Sequence, residues 1–357
     1  MGDRPTLVGV EPASLTAVFC HNAADRTGAS WHQQLAPFVA LEFAVSDAAK
    51  GIASGLDRLV DRRRAARDAT PLTHGLDLFH TTHAAQGVLA RAWHAAEAAW
   101  AKAEAIDAQV AASKRAGLDT RGVAQTAAAA WRRATRAFED VAGREAAWRR
   151  ARAAFELFDG EGRLNDRGRA EAEIAAALPS LGGEGWQTVR TFLRDLRSLA
   201  FLDRMHERLA VAEPRPEWRA AMAWRWWGRP RRSIGTADPR PELLTAVAWA
   251  RPLGGAEAES YGRVAAVLSG TVRSSSVVEC LNGVLRKQQS NHKRMTQAML
   301  DLKRLYWNTH RLAAGKRKGG CPYQHLGLPL RSFDFWELLQ SDPDQLTQEL
   351  SGQKDAA

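Results

Sequence analysis

The chain has 357 residues, 45% of them hydrophobic and 25% charged, with a formal charge of +10 at pH 7. That balance excludes disordered and collagen-like chains and predicts one large globular domain or two ordinary ones. Three scattered cysteines with no C-x-x-C pair exclude a disulfide scaffold and a cysteine zinc site. No apolar run approaches the roughly 18 residues of a spanning helix, and the first residues lack a signal-peptide pattern, so the expectation is a soluble, cytoplasmic protein.

The first 83 residues read as strands with short helices. P-T-L-V-G-V (5–10) and L-T-A-V-F (15–19) flank the turn-like E-P-A-S and predict two adjacent strands. L-E-F-A-V (41–45) predicts a third strand, which stops at Ser46-Asp47. Residues 48–67 follow with helical spacing, Ile52, Leu56, Leu59 and Val60 sharing one face. L-D-L-F-H (76–80) reads as a further strand. A strand that enters a helix through an aspartate is an α/β signature.

From residue 84 to about 250 the sequence turns rich in Ala, Arg and Glu, and it holds ten of the 13 tryptophans. Long helices are expected there, broken at Gly117, around 160–168 and at 179–185. The tryptophans read mainly as interhelix packing. Trp224, Trp226 and Trp227, flanked by Arg225, Arg229, Arg231 and Arg232, read as the least core-like group, suited to base stacking if any are. His80-Thr81-Thr82-His83 gives an H-x-x-H with no third ligand nearby and reads as structural. The chain contains no G-x-x-x-x-G-K-[ST] loop and no G-x-S-x-G elbow, so neither a nucleotide cofactor nor a serine hydrolase is expected.

The excess charge is local. Residues 286–318 carry ten basic side chains (Arg286, Lys287, Lys293, Arg294, Lys303, Arg304, Arg311, Lys316, Arg317 and Lys318) against Asp301 alone, while the rest of the chain is nearly neutral. Such a patch predicts a polyanionic partner, most commonly nucleic acid. Just before it lies R-S-S-S-V-V-E-C-L-N-G-V-L-R (273–286). At helical spacing Val277, Val278, Leu281, Val284 and Leu285 share one face, and Glu279, Asn282 and Arg286 align opposite them. Ser274 to Ser276 supply a candidate N-cap.

That run, with L-D-L-K-R-L-Y-W-N-T-H (300–310) and G-K-R-K-G-G-C-P-Y-Q-H-L-G-L (315–328), resembles the carboxy-terminal part of bacterial insertion-sequence transposases of the DDE type. P-T-L-V-G-V-E-P-A-S-L, L-A-P-F-V-A-L-E-F-A-V-S-D-A-A-K-G-I and H-G-L-D-L-F-H-T resemble earlier stretches of the same transposases. The resemblance implies an α/β, ribonuclease H-like catalytic domain in which carboxylates hold two Mg²⁺ (or Mn²⁺) ions for phosphodiester cleavage and strand transfer at transposon ends. Asp47 matches the family's second Asp and Glu279 its closing Glu. A helical insertion between the last strand and the Glu helix is also a family feature. The implied division is 1–83 and 266–330 for the catalytic domain, 84–265 for the insertion and 331–357 for a tail.

Arg286 matches a family Lys or Arg that holds phosphate near the metals, and Asn282 would support the same site. Lys287, Lys293, Arg294, Lys303, Arg304, Lys316, Arg317 and Lys318 would contact DNA phosphates. DNA is the implied partner, with self-association on it and no membrane. The family's first Asp lies on a strand ahead of the one resembling P-T-L-V-G-V, where this sequence has only Met1 to Arg4. Asp3 and Glu11 are poor substitutes. The expectation is therefore a shortened, defective copy or a reading frame that starts upstream, with a non-catalytic DNA-binding or dimerising remnant as the alternative.

Overall fold

The computed structural model describes residues 4–229, 249, 251–291, 295–315 and 317–351, with side chains of 288–291 outside the description. The protein is mixed α/β and mostly helical. It divides into two units, Met1–His74 with Ser274–Ala357, and Gly75–Arg273. Among the described residues no helix is long and apolar enough to cross a membrane.

In the first unit, β1 (Thr6–Glu11) and β2 (Thr16–Asn22) form an antiparallel hairpin with an irregularity between Gly9 and Val10. The turn closes because Glu11 folds its carboxylate back onto the Ser14 hydroxyl (2.5 Å) and the backbone N–H groups of Ala13 (2.8 Å) and Ser14 (2.7 Å). Helix α1 (Gly28–Leu35) starts at Thr27, whose hydroxyl accepts from the Ser30 amide. Strand β3 (Phe43–Ser46) then enters α2 (Lys50–Ala65), and β4 (Thr73–Leu76) pairs with β3. The four strands thus make two separate pairs. Leu7, Phe19, Ala23, Leu35, Leu56 and Leu59 form one core, onto which Trp31, Phe38, Leu41, Ala44 and Leu72 pack, so both pairs rest against α1 and α2. Arg63 is buried and bonds the carbonyls of Phe38, Val39, Leu41 and Thr70, tying the loops on either side of β3 and α2.

The expected strand over 76–80 is displaced. Asp77 is buried, its carboxylate accepts from the Phe79 amide (3.0 Å) and lies 2.5 Å from His80 Nδ1, and it thereby caps a helix from Leu78 onward. An N-cap bond outweighs the β-propensity of a short apolar run. It also gives His80 of the H-x-x-H pair a structural partner.

The second unit is built on a helical hairpin. Helices α3 (Leu78–Arg115) and α4 (Arg121–Ala153) are joined across Gly117, whose φ of +69° suits a residue without a Cβ. Trp93 meets Phe138 at 5.6 Å and Trp100 meets Trp131 at 4.8 Å, so the helices run antiparallel. Buried Ala103, Ala130 and Ala134 let the backbones approach. Helices α5 (Arg167–Ala177), α6 (Gln187–Arg194), α7 (Ala200–Ala212), α8 (Pro216–Trp227) and α9 (Gly255–Ser269) follow, with Phe155, Trp186, Leu202 and Leu209 fully buried. Trp226 and Trp227, expected to be the least core-like tryptophans, belong to this core at 6% exposure each. Trp226 stacks on Phe158 at 5.7 Å, and a Cβ at Gly162 would strike the Trp227 ring at 2.6 Å. The flanking Arg231 and Arg232 lie outside the described residues.

Besides Asp77, this unit buries Glu213. It accepts from Arg215 (2.7 and 2.9 Å), Ser260 (2.6 Å) and Arg263 (3.0 Å), and the Arg215 and Ser260 hydrogen bonds hold its carboxyl well below the ordinary glutamate value of 4.5. A depressed folded-state pKa gives stability that is complete above about pH 4.5 and is lost as the pH falls below it. Urea denaturation of wild type and Glu213→Gln between pH 7 and 3 tests this: the variant unfolds at lower urea at neutral pH, and the gap narrows toward pH 3.

The first unit returns with α10 (Ser276–Asn291), α11 (Gln297–Thr309), α12 (Pro322–Leu326), α13 (Phe335–Gln340) and α14 (Pro343–Ser351). Helix α10 packs Leu281 and Leu285 with Leu300, Ala17 and Cys20, bordered by Val8 and Val10 of β1. Val284, expected on this face, is 40% exposed. It falls about 80° from the line through Leu281 and Leu285 at 100° per residue, beyond the contact. Burial in this cluster pushes the Cys20 thiol up to about 11, so it stays protonated.

Helix α11 covers the outer edge of β2 with side chains. Asn308 accepts from the Ala17 amide (2.8 Å) and donates to its carbonyl (3.0 Å). Gln297 accepts from the Asn22 amide (2.9 Å) and donates to the Cys20 carbonyl (3.0 Å). Arg304 donates to Val18 (3.2 Å) and Trp307 to Leu15 (2.9 Å). Asn308→Ala leaves two buried backbone groups unpaired and is expected to cost about 3 kcal/mol in chemical denaturation. Asn308→Asp costs at least as much, because a carboxylate then faces the Ala17 carbonyl.

Candidate functional site

Asp47 stands where β3 ends and α2 has yet to begin, with an exposed side chain whose Oδ1 accepts only a long bond from the Ala49 amide (3.3 Å). The backbone beneath it is held more firmly. Buried Ser46 donates to the Asp47 carbonyl (2.8 Å) and lies 2.8 Å from His74 Nε2 on β4. The hydroxyl proton is engaged by the carbonyl, so the imidazole donates to Ser46 Oγ and locks the end of β3. Neither Ser46 nor His74 stood out in the sequence, because a Ser and a His 28 residues apart acquire a relation only when β3 and β4 pair.

Glu279 lies in the first turn of α10, where the helix dipole favours a carboxylate. Its side chain is 23% exposed, with Asn282 Nδ2 at 3.4 Å from Oε1 and Arg286 at 3.9 Å from Oε2. Glu279, Asn282 and Arg286 therefore form one connected polar row, as their spacing predicts, opposite buried Leu281 and Leu285. Arg286 is 72% exposed and Lys287 is exposed beside it.

Metal-binding chemistry needs more than this pair. A two-cation site requires carboxylate oxygens converging from several elements. Among the described residues no group of three or more His, Cys, Asp or Glu side chains is placed to hold a metal ion. The described residues therefore do not provide the complete donor set for two Mg²⁺ or Mn²⁺ ions. Glu11, the acid that ends β1, is spent on its own turn.

The basic segment separates into groups. Arg304, half-buried, reaches the Val18 carbonyl and lies 3.7 Å from Asp301. Arg317 donates to the carbonyls of Ala13 (2.5 Å) and Pro12 (2.8 Å) and clamps the loop after α11 to the β1–β2 turn. Both arginines, expected at DNA phosphates, have structural duties that sequence spacing did not reveal. Lys303 is half-buried and Lys318 exposed. Lys293, Arg294 and Lys316 lie outside the described residues. Within the described part of this segment Arg311 and Lys318 are exposed and make no ion pair with a described residue, while Arg286 is exposed beside Glu279.

Comparison of the chain with protein-family models, curated proteins and solved structures finds no match.

The division of labour among the arginines is testable. Arg317→Ala is expected to lower stability by about 1 kcal/mol, since it removes two charged hydrogen bonds at a partly exposed site. Lys318→Ala is expected to leave stability within about 0.5 kcal/mol of wild type. Paired chemical denaturation curves distinguish them.

Proposed function

We propose that the protein is a DNA-binding protein of the DDE transposase type, with Asp47 and Glu279 as two carboxylates of a ribonuclease H-like site and the basic face of α10, α11 and the following loop as its DNA contact. The observation that carries the reading is the row Glu279–Asn282–Arg286, presented on one face of the helix that opens the basic segment. Supporting it, Asp47 sits at a strand-to-helix junction, and a helical unit is inserted between β4 and the Glu279 helix, as in the transposases the sequence resembles. A cytoplasmic, nucleoid-associated location and self-association on DNA accompany this function.

Phosphodiester cleavage asks more of the site than DNA binding does. A two-cation donor set needs several converging carboxylates, and among the described residues no group of three or more His, Cys, Asp or Glu side chains is placed to hold a metal ion. Of the two forms of the proposal, strand-transferring enzyme and DNA-binding protein without cleavage, the second is the one this site supports.

Binding is checked by titrating a fluorescent duplex over a salt series. About four to five phosphate contacts give a slope of log K against log salt near −4, and Arg286→Ala with Lys287→Ala lowers its magnitude by about 2. A slope near zero rejects the DNA-binding reading. Incubation with Mg²⁺ and DNA carrying the element's own ends gives no nicking; robust cleavage that disappears in Asp47→Ala establishes the enzymatic form instead.

A further inference from the structure

Helix α11 ends in a feature that the phosphate-contact reading does not use. Tyr306, Thr309, His310 and Arg311 form one wall of an open cavity of about 480 Å³, and Gln324 with the segment Arg331 to Phe335 forms the rest. This volume is within the range of small-ligand sites. The wall is aromatic. Tyr306 is 51% exposed, meets Phe335 edge-on at 5.7 Å and lies over His310 at 5.5 Å with their planes 32° apart. A large ring left half in solvent near the end of the helix offers a face for another flat group.

The cavity's charges favour an anion beside that group. Arg311 is exposed and makes no ion pair among the described residues, and Arg331 enters the lining while paired to Glu349 at 3.1 Å. Asp334 is the one lining carboxylate, and it is occupied in capping α13 through the amides of Trp336 (2.8 Å) and Glu337 (3.1 Å). The Thr309 hydroxyl is likewise turned back onto the Leu305 carbonyl (2.9 Å). What remains available is a ring face, an imidazole and an unpaired guanidinium.

We propose that this cavity binds an unstacked nucleotide, its base against Tyr306 and its phosphate at Arg311. Stacking on an aromatic side chain beside a cation is how proteins hold single-stranded nucleic acid without reading its sequence. The cavity is lined by the end of the helix that carries Lys303, and exposed Lys318 follows seven residues after Arg311, so cations of the proposed DNA face flank this wall in the chain; in this proposal a duplex end delivers its unpaired nucleotide to Tyr306. The inference rests on the DNA-binding reading and deepens it: the preferred ligand is a duplex with a single-stranded extension.

The test compares a blunt duplex with the same duplex bearing a three-nucleotide overhang that contains 2-aminopurine, using the full chain. Wild type is expected to bind the overhang about tenfold more tightly, and the 2-aminopurine emission to change on binding. Tyr306→Ala abolishes the preference and leaves blunt-duplex affinity within about twofold; Arg311→Gln abolishes the preference as well and weakens binding to both DNAs by no more than the loss of one phosphate contact. Tyr306→Phe, which keeps the ring, retains the preference and guards against a merely misfolded Tyr306→Ala. Competition by deoxyadenosine monophosphate alone, sensitive to the same substitutions, identifies a free nucleotide as sufficient. Equal affinity for both DNAs with unchanged emission overturns the proposal while DNA binding stands. Absence of binding to either DNA defeats both readings.

Discussion

The first unit depends on how the outer edge of β2 is satisfied. A two-stranded hairpin leaves one row of backbone donors and acceptors on each outer edge, and buried groups of that kind must find partners. On β2 the partners come from a helix. Gln297, Arg304, Trp307 and Asn308 recur at spacings of seven, three and one, so that they share one face of α11, and they reach from Asn22 back to Leu15. Amide side chains present the same donor and acceptor groups as a strand, which is why Gln297 and Asn308 each make a paired contact.

Several positions follow from that docking. With α11 laid along β2, Leu300 points into the cluster of Ala17, Cys20, Leu281 and Leu285, and α10 is fixed against the hairpin. That contact turns Glu279, Asn282 and Arg286 away from the core. The loop beyond α11 is returned to the same hairpin by Arg317, which clamps the turn that Glu11 organises. Two arginines within the most basic part of the chain thus serve the fold, and the charges that face solvent are fewer than the sequence count implies.

The second unit solves a different problem. Its long helical hairpin is rich in alanine, so small residues bring the helices close and the rings of Trp93, Trp100, Trp131 and Phe138 fill the remaining volume. The same logic draws Trp226 and Trp227 inward, against Phe158 and the bare backbone of Gly162. Their arginine neighbours suggested a surface, but an indole buries far more apolar area than an adjacent guanidinium costs when its charged end reaches solvent.

Local patterns alone determined the strands at both sides of the first turn, the strand-to-helix junction at Asp47, the breaks in the helical middle and the alignment of Glu279, Asn282 and Arg286. Each depends on periodicity or turn chemistry within a dozen residues, which the sequence displays directly. Tertiary structure decided the rest: that Asp77 caps a helix where β-prone residues stood, that Ser46 meets His74, that Asn308 pairs with Ala17 and that Tyr306 lines a cavity with Phe335. These relations join residues far apart in sequence or hinge on one hydrogen bond outweighing a propensity, and neither leaves a trace in spacing. The grouping of basic residues is plain in the sequence; which of them face solvent was settled only by the carbonyls that Arg304 and Arg317 reach.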